Sequence, residues 1–189
     1  MRELLTGAPL LTLFTEARVS IRRLSTRDNY NAENEREAIA SFLAGEPDPS
    51  RWADARKPYL DNVRAKVAAG VRYERIEIVP EPLSTYLRFD VWLRQQSVPA
   101  GEDVRYLERS AANRLDLPDH DYWTFDGERL VWLYFTADDR LLGGEVITDR
   151  EVVARHEAWL DTAAAHAVPW AEYLAADPSR GRPPPDRSA

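Results

Sequence analysis

The stretch from Tyr122 to Thr148 constrains the fold more than any other, because its turn residues leave the backbone little choice. Tyr122 to Phe125 is aromatic and strand-prone, and Asp126-Gly127 is a hairpin turn pair. Leu130 to Phe135 is an unbroken apolar run, Asp138-Asp139 turns the chain again, and Leu141 to Thr148 follows, softened by Gly143-Gly144. Short strands joined by such turns pair with their sequence neighbours, so the region predicts an antiparallel meander.

A meander buries one face only if other elements cover it. Ala17 to Arg22 alternates, with Ala17, Val19 and Ile21 on one side and Arg18, Ser20 and Arg22 on the other, the period of a half-buried strand. Residues 16–27 hold four arginines against one glutamate, which reads as a solvated basic strand face. Arg72 to Val79 is a second strand, with Ile76 and Ile78 opposite Tyr73, Arg75 and Glu77, and Val104 to Leu107 a third.

Helices are legible between the strands. Leu10 to Phe14 is a short apolar cap. Acids at Glu33, Glu35 and Glu37 suit the first turns of a helix that starts near Tyr30-Asn31, buries Ile39, Phe42 and Leu43 and ends at Gly45. After a connector with Pro47 and Pro49, a helix capped by Ser50 carries Trp52, Ala55, Tyr59, Leu60, Val63 and Val67, with Pro58 kinking or restarting it. Pro82 fits the first turn of a deeply buried helix running to Gln95, on which Arg88 and Asp90 need partners. Ser110 to Leu115 is a helical turn. Asp149 caps a last long helix from Arg150 to His166, with Val152, His156, Trp159, Leu160 and Ala163 inward, and Trp170 to Leu174 docks a terminal turn.

The expected fold is α+β, with a mostly antiparallel sheet of five or six strands, a C-terminal β-meander, and helices on one face and at the ends. Residues 1–176 form one globular domain, and the Pro/Arg-rich tail 177–189 is disordered. A net charge of −7 argues against direct nucleic-acid or anionic-membrane binding. Positive charge is almost all arginine, with Lys57 and Lys66 the lysines, which reads as the imprint of a GC-rich genome. With no cysteine, thiolate chemistry and Cys-ligated zinc are excluded. The interrupted Leu4-Leu5 start is too short for a signal peptide, and no window approaches the ~20 apolar residues of a membrane span, so a soluble cytoplasmic protein is expected.

Unusual residues concentrate between Glu81 and Phe125, where acids, arginines and a histidine sit among aromatics. In an extended Asp119-His120-Asp121, the aspartates point one way and His120 the other, so the three do not form one metal cup. His156 and His166 lie ten residues apart on one helix, on different faces and ~15 Å from each other, so they cannot share a metal either. His156 reads as a hydrogen-bonded core residue. Ser84-Thr85 lacks a nucleophile elbow and reads as a cap. No Walker loop, G-x-G-x-x-G or helix-turn-helix is present.

The candidate binding residues are therefore Glu81, Tyr86, Arg88, Asp103, Arg105, Asp119, His120 and Trp123, with no metal or cofactor expected. An alternative makes His120 with Asp119 or Glu102 the acid–base groups of a small hydrolase-type enzyme. Another places a small ligand in an aromatic pocket of Trp92, Trp123, Trp132 and Trp159, residues that read more simply as core. The enzyme question leans towards no.

Four blocks carry a resemblance: Glu81-Pro-Leu-Ser-Thr-Tyr-Leu-Arg-Phe, Ala100-Gly-Glu-Asp-Val-Arg, Leu117-Pro-Asp-His-Asp-Tyr-Trp-Thr-Phe-Asp and Ala167-Val-Pro-Trp-Ala-Glu-Tyr-Leu. Together they resemble an uncharacterised actinobacterial family of streptomycete type, a domain of unknown function, from about Phe14 to Leu174. Members are often encoded beside helix-turn-helix regulators. The resemblance implies no catalytic residues, and it implies a non-enzymatic regulatory or protein-binding module that partners a transcriptional regulator.

Overall fold

A computed structural model describes residues 4–45, 47–48, 50 and 53–184. Its centre is one sheet built from β1 (Ser20–Ser25), β2 (Arg72–Val79), β3 (Asp103–Glu108), β4 (Tyr122–Phe125), β5 (Arg129–Phe135), β6 (Leu141–Ile147) and β7 (Val168–Pro169), in the order β6-β5-β4-β1-β2-β3-β7. The described sheet thus has seven strands rather than five or six. Most pairings are antiparallel, but β1–β2 and β2–β3 are parallel. The antiparallel run β4–β5–β6 forms one wing, while β7 pairs with β3 at the opposite edge.

Parallel neighbours need crossovers, and the crossovers explain where the helices lie. α1 (Ala8–Glu16) precedes β1. α2 (Arg36–Leu43) and α3 (Ala53–Ala68) connect β1 to β2, and α4 (Thr85–Ser97) connects β2 to β3. These pack on the face that carries Ile21, Arg23, Tyr73, Arg75, Trp123 and Val131, called face A here. α5 (Arg109–Arg114) and α6 (Arg150–His166) cover face B, where Leu24, Ile76, Ile78, Tyr122 and Leu130 meet Val153, Leu160 and Ala163. α7 (Trp170–Ala176) sits beside β3, its Tyr173 ring stacked on Tyr106 at 4.4 Å. Helices on one face was the expectation; they cover both. The central strands are consequently buried on both sides, and their polar alternation turns inward rather than towards solvent.

Local chemistry sets the boundaries. Ser84 caps α4 by accepting from Leu87 N at 3.1 Å, so Pro82 lies before that helix instead of in its first turn. Asp149 caps α6, accepting from Glu151 N and Val152 N. α2 starts at Arg36, after a 3₁₀ turn over Glu33–Glu35, later than Tyr30-Asn31 suggests. Pro58 lies inside an uninterrupted α3. Trp52 and Pro49 lie outside the described residues. Gly144 lets β6 pass β5: a Cβ there would come 2.4 Å from Val131 Cγ1.

The segment after Asp177 departs from the expected disorder. Pro178–Gly181 forms a 3₁₀ turn, Asp177 accepts from Ser179 N, and the Arg180 guanidinium lies 4.0 Å from the Tyr173 ring centroid. Two polar anchors and one aromatic lid hold what composition alone reads as featureless. Residues 185–189 lie outside the described part. No described helix is long and apolar enough to cross a membrane.

Candidate functional site

The sequence-predicted residues do not gather on one surface. Trp123 is on face A, 5% exposed, between the guanidinium groups of Arg23 and Arg75, each 5.1 Å from its ring centroid. Glu102 is buried and accepts from Arg75 Nε at 2.8 Å. Asp103 and Arg105 pair with each other at 2.9 Å on β3, and Arg105 also reaches Ala164 O on the face-B side. Glu81 pairs with Arg180 at 3.6 Å, and Arg88 Nη1 donates to Ser179 O at 2.7 Å, so both hold down the chain end. Asp119 is exposed, and His120 turns towards α6. Of the set, Glu81 lines a cavity of about 400 Å³ beside β3 and α7, and Tyr86 lines another on face A.

That cavity, about 350 Å³, lies between face A and the helices α3 and α4. Its floor is Arg23 and Ser25 of β1, Arg75 and Glu77 of β2, and Leu133 and Phe135 of β5. Its roof is Arg56 and Tyr59 of α3 with Tyr86, Asp90 and Arg94 of α4, and Tyr30 and Glu35 from the β1–α2 connection close one side. Sequence reasoning passed over most of these. The signal was present in β2, where Arg75 and Glu77 alternate with Ile76 and Ile78: with helices on both faces, that alternation has to place charges in the interior.

Ion pairs fix three of the arginines that line the cavity floor and roof. Arg23 donates to Asp121 at 3.0 Å, Arg75 to Glu102 at 2.8 Å, and Arg94 to Glu77 at 3.2 Å and to Asp90 in the preceding turn of α4. Asp121, overlooked beside Asp119 and His120, organises one corner: it also accepts from Thr26 N, Thr26 Oγ1 and the Tyr30 hydroxyl. Half of the basic patch at residues 16–27, Arg22 and Arg23, therefore faces the interior rather than solvent, while Arg18 is exposed. Arg22 is itself buried on face B, bonded to Glu74 at 2.9 Å and to Glu157 and Asp161 of α6.

The environment tunes these groups. Burial acts to raise the Glu102 carboxyl, but Arg75 and Arg94 outweigh it and bring it to about 2. Burial dominates at Asp90, against the pull of Arg94, and raises it to about 6. Burial lifts the Tyr59 hydroxyl to about 12 and the Tyr30 and Tyr86 hydroxyls well above their ordinary range, so all three stay protonated. Burial and the charge of Arg94 lower Arg56, which still carries its charge near neutrality.

On face B the histidines form a pair. His156 Nδ1 sits 2.8 Å from Val152 O, so it carries the proton and donates, and its Nε2 accepts from His120 Nε2 at 3.1 Å. His120 also stacks on Trp132 with centroids 3.6 Å apart. Burial, reinforced by His156, lowers His120 to about 4. Glu102 lies across the sheet on the face-A side, away from His120, whereas Asp119 is exposed beside His120 and its charge acts on the imidazole. Trp92, Trp123, Trp132 and Trp159 likewise divide between the faces: Trp92 packs with Phe42 and Phe89, whereas Trp132 and Trp159 surround the histidines. No group of three or more metal-ligating side chains occurs among the described residues.

None of the curated proteins matches this sequence. Among solved structures, TrmBL2, an archaeal chromatin protein with a novel mode of DNA binding, matches with a TM-score of 0.45 and 13% identity, over 85% of this chain and 49% of that one. The chain thus spans about half the length of that protein. A family model matches residues 9–175, most of the sequence. The protein belongs to that family, a domain of unknown function designated DUF6879.

Proposed function

We propose that this protein is a non-enzymatic binding module and that the cavity between face A, α3 and α4 is its ligand site. One observation carries the reading: the buried Arg75 and Arg94 and the partly buried Arg23, each anchored by a carboxylate, line a polar and aromatic cavity on the sheet. Ligand sites combine concavity with a few fixed polar groups in this way, and rigid anchoring reduces the ordering cost of binding. The separation of Glu102 from His120 across the sheet supports the non-enzymatic side of the proposal.

Leu141 lines the cavity and, with Leu142, stands about half exposed on the edge strand β6. We propose this lip as the place where a protein partner reads cavity occupancy, the partner being a transcriptional regulator in the cytoplasm of an actinobacterium, with no direct nucleic-acid contact by this chain. The test is nondenaturing mass spectrometry of gently purified protein beside an Ala55→Trp variant, which fills the exposed mouth. A small molecule retained by the parent and lost from the folded variant is the expected result. Equal retention by both would remove the cavity from the proposal.

A further inference from the structure

The charges around the cavity do not close on themselves. Five of the seven charged lining residues are joined in ion pairs: Arg23 to Asp121, Arg75 to Glu102 and Glu77, and Arg94 to Glu77 and Asp90. The other two are Arg56 and Glu35. No described carboxylate lies within ion-pair distance of Arg56; its guanidinium faces the Tyr59 ring at 5.6 Å, and its Nε is buried without an acceptor. Among the described residues, the Glu35 carboxylate accepts only the Tyr86 hydroxyl, at 2.8 Å. The two are close enough for Glu35 to act on the Arg56 charge, yet no ion pair joins them.

Both residues are half-buried, so neither is fully compensated by water. An anion alone would suit Arg56 and be repelled by Glu35, a cation the reverse, and a neutral molecule would match neither charge. A group that carries both signs fits the pair. The guanidinium fork receives a carboxylate in two parallel hydrogen bonds, and a carboxylate receives an ammonium.

The remaining wall sets the shape of the ligand. Tyr30, Tyr86 and Phe135 form a continuous aromatic surface, with ring centroids 5.4 and 5.7 Å from Tyr30, suited to a planar apolar body. At ~30 Å³ per water molecule, a cavity of about 350 Å³ holds about a dozen waters, or a ligand with about as many non-hydrogen atoms. Resting on the ligand-site reading above, we propose that the cavity takes a zwitterionic small molecule of the aromatic α-amino acid class, its carboxylate on Arg56, its ammonium at Glu35 and its ring against the tyrosine wall.

Isothermal titration near neutral pH with L-phenylalanine and L-tyrosine, 3-phenylpropanoate, phenethylamine and L-phenylalaninamide tests this without any variant. The amino acids should bind at least about tenfold more tightly than analogues lacking either charge, and Arg56→Gln and Glu35→Gln should each weaken them by about tenfold or more. Equal binding of 3-phenylpropanoate would overturn the zwitterion and leave the cavity as the ligand site. Amino-acid binding untouched in both folded variants would place the ligand elsewhere and overturn both readings. Absence of heat from every compound, confirmed by unchanged amide resonances of the protein, would overturn the aromatic amino acid class while co-purification still judged the cavity.

Discussion

The two faces of one sheet solve the same problem differently. On face B, α6 packs closely: Leu24, Ile76, Leu130 and Leu160 interlock, and the buried Arg22 is met by Glu74, Glu157 and Asp161. On face A the helices meet the sheet through arginines and acids, and a cavity remains in which Arg56 and Glu35 have no ion pair among the described residues. Closing a face with aliphatic side chains and one saturated arginine stabilises the fold. Closing it with a ring of ion pairs contributes less net stability, because desolvation offsets attraction, but holds polar groups in fixed positions. On the ligand-site proposal, face B supports the fold and face A recognises the ligand.

The sharpest way to break the comparison is at the anchors of face A. Glu102→Ala leaves Arg75 buried beside the more distant Glu77 and should cost about 3–5 kcal/mol in denaturant unfolding. A cost below about 1 kcal/mol would mean that water already enters the ring. On face B, Leu160→Ala should cost about 3 kcal/mol through the cavity left under α6, with no effect on ligand affinity; lost affinity would show that the faces are coupled.

His120 on face B and Asp90 on face A titrate with opposite sign. His120 is held near pH 4 against its ordinary 6.5, so between those values the unfolded chain binds a proton that the native chain does not, and stability rises with pH. Asp90 is raised from 3.8 to about 6, so over that range the native chain holds a proton that the unfolded chain has lost, and its contribution declines as pH rises through about 6. In unfolding measured from pH 4 to 6.5, Asp90→Asn should steepen the climb with pH and His120→Gln should flatten it. Parallel slopes for both variants and the parent would remove the distinction.

The smallest effect belongs to Arg56. Partly exposed and without an ion pair among the described residues, it should tolerate Arg56→Gln within about 0.5 kcal/mol in the unliganded protein, in contrast to Arg75. A larger loss would show that Arg56 already has a partner in solution.

Much of this was legible along the chain. β2 occupies Arg72 to Val79 as its alternation suggests, α6 spans Arg150 to His166 behind its Asp149 cap, and the turns at Asp126-Gly127 and Asp138-Asp139 separate consecutive antiparallel strands. The site was less legible. Tyr86 was singled out and lines the cavity, but Arg23, Arg56, Arg75, Arg94, Tyr30 and Asp121 were not, since each reads locally as an ordinary polar position on a strand, helix or loop. Asp90 with Arg94 was within reach, four residues apart on one helix, where such pairs meet.

By itself the sequence determined the elements: period-two alternation, helix caps and Gly- or Asp-bearing turns act within a few residues, where backbone sterics and local hydrogen bonds decide. Only the tertiary structure decided that helices cover both faces, and with that the fate of every polar residue on the central strands. Arg22 finds Glu74 and Asp161, Arg23 finds Asp121 and Arg75 finds Glu102 across separations of 52, 139, 98 and 27 residues. Charge attraction has no periodicity along the chain. Which acid meets which arginine depends on strand order and crossover, and those are settled when the whole sheet assembles.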